Sequence, residues 1–174
     1  MNSSPLFWNH GCGQSPRGFR TALGCYPTGV AIVTALSPDG QPVGLTINSF
    51  ASVSMDPPLV LWSLASNSPS LASFENCSHF AVNVLAEDQR DLCRQFANPS
   101  VIDKFAGVEC TQGGSGLPLV SRALAQFECR KERSFIGGDH VVFFGLVEKY
   151  QWRDAQPLLF HAGSLIPLPL LEAA

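Results

Sequence analysis

The sequence is short of charge. Lys, Arg, Asp and Glu together make up 14% of the 174 residues, while hydrophobic residues reach 45%; an average soluble chain carries roughly 25% charged residues. So little charge does not coat a monomer comfortably, and cover from a second subunit is expected, a homodimer being the simplest form. Basic runs are missing as well. With a net charge of −3, the electrostatic footprint of a nucleic-acid binder is absent and no nucleic-acid partner is expected. No apolar stretch approaches the ~18 residues of a membrane span, and the longest candidates, "PPLVLWSLA" and "PLPLL", carry prolines, so no membrane association is expected. The opening "MNSSPLFWNHGCG" has neither a basic n-region nor a continuous apolar h-region, so a secretory signal is not expected and the chain reads as cytoplasmic.

The familiar motifs of chemistry are also lacking. Cys12, Cys25, Cys77, Cys93, Cys110 and Cys129 form no C-x-x-C pair and join no histidine cluster, which argues against zinc. Six cysteines could pair, yet a chain this long needs no staples, and buried free thiols are expected. "GCGQSP" fails the dinucleotide fingerprint at its last position, and none of Lys104, Lys131 and Lys149 is followed by Ser or Thr, so neither G-x-G-x-x-G nor the P-loop occurs. There is no G-x-S-x-G elbow, no H-E-x-x-H and no paired-carboxylate cluster. Ordinary hydrolase chemistry has no support.

What the sequence does have is a series of strands with short helices inserted. Residues 1–14 read as a flexible N-terminal arm ahead of one domain over 15–174. "SPRGFRTALGCY" predicts a helix with Phe19, Ala22, Leu23 and Tyr26 on one stripe, ended by Pro27. "TGVAIVTAL" predicts a strand, "SPDGQP" a turn, and 43–54 the returning strand. The unbroken apolar run "PLVLWSL", residues 58–64, suits a strand buried on both faces. "SPSLASFENC" predicts a short helix with Ser68 as N-cap and Pro69 at its first position. "HFAVNVLA" is a strand, and "EDQRDLCRQFA" a helix with acids first, arginines later and Leu92 and Phe96 on its core stripe. Residues 100–118 read as a Gly-rich loop, and "ALAQFECRKERSF", "DHVVFFGLVEKYQW" and "PLLFH" as further strands, with "IGG" as a turn. Without a βαβ rhythm, this order predicts a mainly β fold, a split β-barrel of Greek-key type with a few short helices.

One stretch stands out chemically. In "GLTINSFASVS", Thr46 and Asn48 share one face and Leu45 and Ile47 the other, but beyond Asn48 the phase breaks. A bend at Asn48–Ser49 is expected, leaving main-chain groups free to meet a flat heterocycle such as a flavin's pyrimidine edge. A second cluster, "SLASNSPS", sets Ser66, Ser68 and Ser70 around a helix start that suits a phosphate. Lys104 could add charge there and Phe105 an apolar wall. Each item alone has a plain structural explanation: an N-cap, a solvated lysine, Ser and Thr in a strand.

Taken in order, "FRTALGCYPTGVAIVTA", "GLTINSFASVSMDPPLVLWSL", "FAVNVLAEDQRDLCRQFA", "DKFAGV", "FECR", "GGDHVVFFGLVE" and "PLLFHAG" resemble the flavin reductase family. These are short FMN-binding split barrels that supply reduced flavin to two-component monooxygenases. The resemblance spans about 16–164. It implies that Thr28, Thr46, Ile47, Asn48 and Ser49 surround the isoalloxazine. It implies that Ser63, Leu64, Ala65 and the chain to Ser68, with Lys104, reach the ribityl and phosphate groups, and that Phe105 packs nearby. It further implies that Gly138, Asp139 and His140 face the nicotinamide, with His140 the residue nearest to a catalytic role; without the resemblance His140 reads as a histidine in a turn. FMN or FAD, NADH or NADPH, a homodimer and a transient monooxygenase partner are all implied. Hydride transfer is the cofactors' own chemistry, which accounts for the missing acid–base dyad. A flavin-binding barrel without reductase activity is the alternative. The chain departs from the family after "HAG", where Ser164-Leu165 and "IPLPLL" stand in place of an aromatic that many members carry.

Overall fold

The structure is a computed structural model, and it describes residues 9–13 and 15–168. Most of the expected arm, residues 1–8 and 14, lies outside the described residues, as do residues 169–174.

Helix α1 (Pro16–Leu23) opens on a proline, tolerated where a helix has no use for the N–H. Phe19, Leu23 and Tyr26 are all exposed, so the expected stripe faces outward. The chain then pairs strand β1 (Thr28–Gly29) elsewhere and enters β2 (Ala31–Leu36), which turns at Gly40 into β3 (Pro42–Ile47). The turn is tied by Ser37, whose hydroxyl donates to Asp39 and accepts from the N–H of Gln41. The expected return strand 43–54 is not continuous: β3 stops at Ile47 and β4 (Ala51–Met55) begins after a three-residue link. Strand β5 (Pro58–Ala65) pairs back on β4.

Helix α2 (Leu71–Asn76) is capped by Ser70, two residues later than expected. Ser68 instead closes a turn before it, its carbonyl accepting from the N–H of Leu71 and its Oγ from the N–H of Ser70. Strand β6 (His79–Val84) follows, then a single 3₁₀ turn at Glu87–Gln89 that leads into α3 (Arg90–Ala97). The region expected as a loop holds a small hairpin, β7 (Cys110–Gln112) with β8 (Pro118–Val120). The long hairpin β9 (Ala125–Gly137) and β10 (His140–Trp152) and the short β11 (Leu158–His161) and β12 (Ser164–Pro167) complete the chain.

Seven strands form one antiparallel sheet in the order β3-β2-β6-β9-β10-β5-β4, and β1, β11 and β12 form a second. Strands β3 and β4 are consecutive in the chain yet lie at opposite edges of the large sheet, so the link 48–50 must cross from one edge to the other. The Ser49 hydroxyl ties that crossing down: it accepts from the Ser63 N–H at 3.0 Å and donates to the Ser63 carbonyl at 3.2 Å. One side chain thus supplies a rung where the ladder is missing, and the sheet curls into a barrel split along this seam.

Alternation sorts the two faces. Val33, Ile47, Val60, Trp62, Leu64, Phe80, Val82, Val141 and Phe143 fill the interior. Trp62 stacks on Phe143 at 4.7 Å and meets Phe74 edge-on at 4.9 Å. On the outside, α3 lies over β2 and β3, packing Cys93 and Phe96 on Ile32 together with Leu85, Val120 and Leu158. Gly44 permits that approach, since a Cβ there would stand 2.8 Å from the Phe96 ring and 3.2 Å from Phe105.

The outer face of β5, β10 and β9 is different. The apolar run 58–64 was expected to be buried on both sides, but β5 alternates: Val60, Trp62 and Leu64 are buried, whereas Leu59, Leu61 and Ser63 are only partly covered. Beside them lie Val142, Phe144 and Leu146, each opposite a β5 residue in register. No described element of the chain packs over this face.

All six cysteines are free. Half match the expectation of burial: Cys77, Cys93 and Cys129 are buried, with desolvation pushing the Cys129 thiol up to about 12, whereas Cys12, Cys25 and Cys110 are exposed.

Candidate functional site

The seam is where unsatisfied polar groups collect. Strand β3 is an edge strand, so every second residue turns its N–H and C=O away from β2. Beyond it, Asn48, Ser49 and Phe50 make no main-chain to main-chain hydrogen bond among the described residues. Asn48 is exposed, but Ser49 and Phe50 are half-buried, where unpaired main-chain groups are uncommon.

Against this link lies a cleft of about 310 Å³, within the ~300–1,000 Å³ range of small-molecule sites. Thr46, Ile47 and Asn48 form one side and Cys93, Arg94 and Ala97 of α3 another. Val30, Phe160 of β11 and Leu165 of β12 complete it. The walls are apolar, with the Asn48 amide and the open peptides as polar edges. The Thr46 hydroxyl does not face the space: it donates to the Cys93 carbonyl at 2.8 Å and pins α3 to β3. Thr28, opposite Phe160 in the β1–β11 register, has a buried Oγ1 with no partner. Three open peptides beside a largely apolar cleft fit a flat heterocycle bearing donors and acceptors along one edge.

Across the seam, Ser63 and Ala65 face outward, opposite Val142 and His140 of β10. Leu64 points inward and is 3% exposed, so its contribution is to the core. The Ser66 N–H donates to the Asp139 carbonyl at 2.8 Å, which joins the serine-rich stretch to the β9–β10 turn. That turn has two central residues, Gly138 and Asp139, and Gly138 sits at φ 69°, which suits glycine. His140 Nδ1–H donates to Asp139 Oδ1 at 2.8 Å, a contact that holds the Asp139 carboxyl below its usual range. Its Nε2 has no recorded partner among the described residues and is turned from the carboxylate.

Lys104 and Phe105 stand elsewhere in this arrangement. The Lys104 ammonium donates to the carbonyls of Gln95, at 3.4 Å, and of Asn98, closing the C-terminal end of α3. Desolvation there draws its pKa below the ordinary lysine value. Phe105 meets Phe96 edge-on at 5.0 Å. Both therefore brace α3 from behind the cleft. The structure brings Thr46, Ile47 and Asn48 to the cleft and Ser49, Ser63, Ala65, Asp139 and His140 to the adjoining seam. Sequence reasoning missed most of the walls: Val30, Cys93, Arg94, Ala97 and Phe160 come from the β1–β2 link, α3 and β11 and follow no motif. Leu165, at the point where many members of the family carry an aromatic, lines the cleft.

The sequence pattern of the flavin reductase like domain matches residues 23–168. The chain belongs to the flavin reductase-like family. It is 43% identical over 152 residues to the FMN reductase (NADH) SmoA of Agrobacterium fabrum, covering 87% of this chain and 86% of that one. It is 44% identical over 149 residues to HsaB, the reductase subunit of a flavin-dependent monooxygenase of Rhodococcus jostii, covering 85% and 75%. Among solved structures, the NADH:FAD oxidoreductase SgcE6 of Streptomyces globisporus, in complex with NAD and FAD fragments, superposes with a TM-score of 0.88 at 34% identity, over 93% of this chain and 98% of that one. Other relatives are longer: the chain spans 43% of a probable flavin reductase of Rhizobium meliloti. As a flavin reductase, the protein works on a flavin and a reduced nicotinamide, and its mainly β split barrel is the fold of its solved relatives. Among the described residues no helix is long and apolar enough to cross a membrane.

Proposed function

We propose that the cleft beside residues 46–49 holds the flavin ring, that the adjoining seam seats the nicotinamide of NADH, and that the reduced flavin passes to a partner monooxygenase. The observation that carries this is the run of open peptides at Asn48, Ser49 and Phe50 against an apolar cleft. When bound, the flavin supplies the chemistry by accepting a hydride from the nicotinamide. The protein's task is to hold and align. Asn48 and the peptides of Ile47 to Ser49 meet the polar edge of the ring, the Thr28 hydroxyl gains its missing partner, and Val30, Phe160 and Leu165 keep water off the faces. Ser63, Ala65 and the turn to Ser68 border the ribityl side. His140, oriented through Nδ1 by Asp139, offers Nε2 and its ring edge to the nicotinamide. NADH rather than NADPH follows the likeness to SmoA, and the monooxygenase partner the likeness to reductase subunits such as HsaB.

Purified protein mixed with NADH and FMN or FAD should lose absorbance at the nicotinamide band, faster than with NADPH; no loss with any pairing would end this reading. His140→Ala should raise the KM for NADH about fivefold, the worth of ~1 kcal/mol of contact, with kcat nearly kept. Unchanged kinetics would remove His140 from the site.

A second copy of the chain is the occupant we propose for the uncovered outer face of β5, β9 and β10. That face joins apolar side chains to both signs of charge. Arg133 lies over the rings of Phe135 and Phe144 at 5.6 and 5.2 Å, and Arg130 pairs with Glu132 at 2.8 Å. Such a mixed patch can complement itself about a two-fold axis. Phe144→Glu should convert a dimer to a monomer in sedimentation; a wild type that sediments as a monomer would contradict the assignment.

A further inference from the structure

Two cations stand near the end of α3 and are used differently. The Lys104 ammonium is turned back onto the carbonyls of Gln95 and Asn98, where it offsets the partial negative charge of a helix C-terminus. Arg94 faces the other way and is the one charged side chain lining the cleft among the described residues. Its recorded partner is Asp91 on the same helix, 3.1 Å from Nη1, with both side chains largely in solvent. A guanidinium has five N–H donors in a planar fork, and this exposed contact occupies one of them weakly. The serine-rich stretch has few main-chain donors left for an anion: the Ser70 N–H is given to Ser68 Oγ, the Leu71 N–H to the Ser68 carbonyl and the Ser68 N–H to the Ala65 carbonyl, and the helix that follows has six residues.

We propose that Arg94, and not Lys104, binds the phosphate on the ribityl chain of the flavin, and that this phosphate displaces Asp91 from the guanidinium. The inference rests on the cleft being the flavin site. Electrostatics requires a cation at this end, because a phosphate brought near the C-terminus of α3 meets the helix's negative pole and the Asp91 carboxylate. Arg94 sits between cleft and solvent, where its fork can take two phosphate oxygens at once. Asp91 then acts as a competitor that holds the side chain in place until the anion arrives.

The test compares FMN with riboflavin, which lacks the phosphate, by flavin fluorescence titration of the full chain. Arg94→Gln should weaken FMN by about 10- to 100-fold, as expected for hydrogen bonds between charged groups, and leave riboflavin within about twofold, which also reports that the variant is folded. Arg94→Lys should recover part of the loss. Asp91→Asn should tighten FMN a few-fold, more at low ionic strength, and not riboflavin. Lys104→Met should lower the thermal midpoint while keeping the FMN-to-riboflavin ratio. An unchanged ratio in Arg94→Gln, or a ratio that collapses in Lys104→Met, overturns the proposal. The cleft itself is tested separately by Ala97→Trp: if riboflavin still binds with the cleft filled, the flavin lies elsewhere, and that reading falls together with the role of Arg94.

Discussion

Two groups of polar residues, one on the large sheet and one at its seam with the small sheet, meet opposite fates. Around Asn83, which is fully buried, every group is answered. Its Nδ2 donates to the Ile32 carbonyl at 3.1 Å and to Thr34 Oγ1 at 3.2 Å, and its Oδ1 accepts from the Val120 N–H and from Gln126 Nε2, both at 2.9 Å. Thr34 donates in turn to the Pro118 carbonyl. Around Asn48 little is answered: its side chain has no recorded partner among the described residues, the neighbouring peptides are open, and the Thr28 hydroxyl is buried alone. A polar residue in a strand is thus no sign of function in itself. The closed cluster fastens β8 to the barrel; the open one is left without partners of its own.

That contrast can be broken at its strongest point first. Asn83→Leu strands the Val120 N–H and removes an acceptor from Gln126, so the midpoint of urea unfolding should fall by the equivalent of about 3 kcal/mol; a loss below ~1 kcal/mol would mean the network is not the fastening described. Ser49→Ala removes the rung between the link and Ser63 and should cost about 1 kcal/mol in the same measurement, with weaker flavin binding because the seam loosens. The smallest stability effect belongs to Asn48→Ala, within ~0.5 kcal/mol of wild type as for a surface change, yet FMN affinity should drop about tenfold through the lost amide contacts. If Asn48→Ala destabilises the apo protein as much as Ser49→Ala does, the open cluster is structural after all.

The contrast also explains what the sequence could disclose. The break at Asn48–Ser49 was legible because the alternation of apolar residues changes phase there, a local signal. That β3 and β4 part to opposite edges of the barrel was not, since the order of the sheet is decided by pairings between strands far apart in the chain, as in the register of Leu59 with Leu146 and of Ala65 with His140. The start of α2 was misplaced because Ser68-Pro69 fits a cap as well as it fits the turn it makes. Lys104 reads from the sequence as a cation that could reach a phosphate, and its contacts with the carbonyls of Gln95 and Asn98 become visible only with the packing of α3. Val30, Cys93 and Phe160 gave no warning, being apolar residues that a core would use equally well. The doubly apolar look of β5 was informative in another way, because the chain buries one of its faces and leaves the other only partly covered.

Amide hydrogen exchange on residues 48–50 addresses the seam most directly. In the free protein these three amides should exchange far faster than those of Ile32 or Val82 in the neighbouring ladders, and saturating FMN should slow them selectively. Slow exchange before flavin is added, or protection by FMN that falls anywhere but this link and its cleft, would contradict the account.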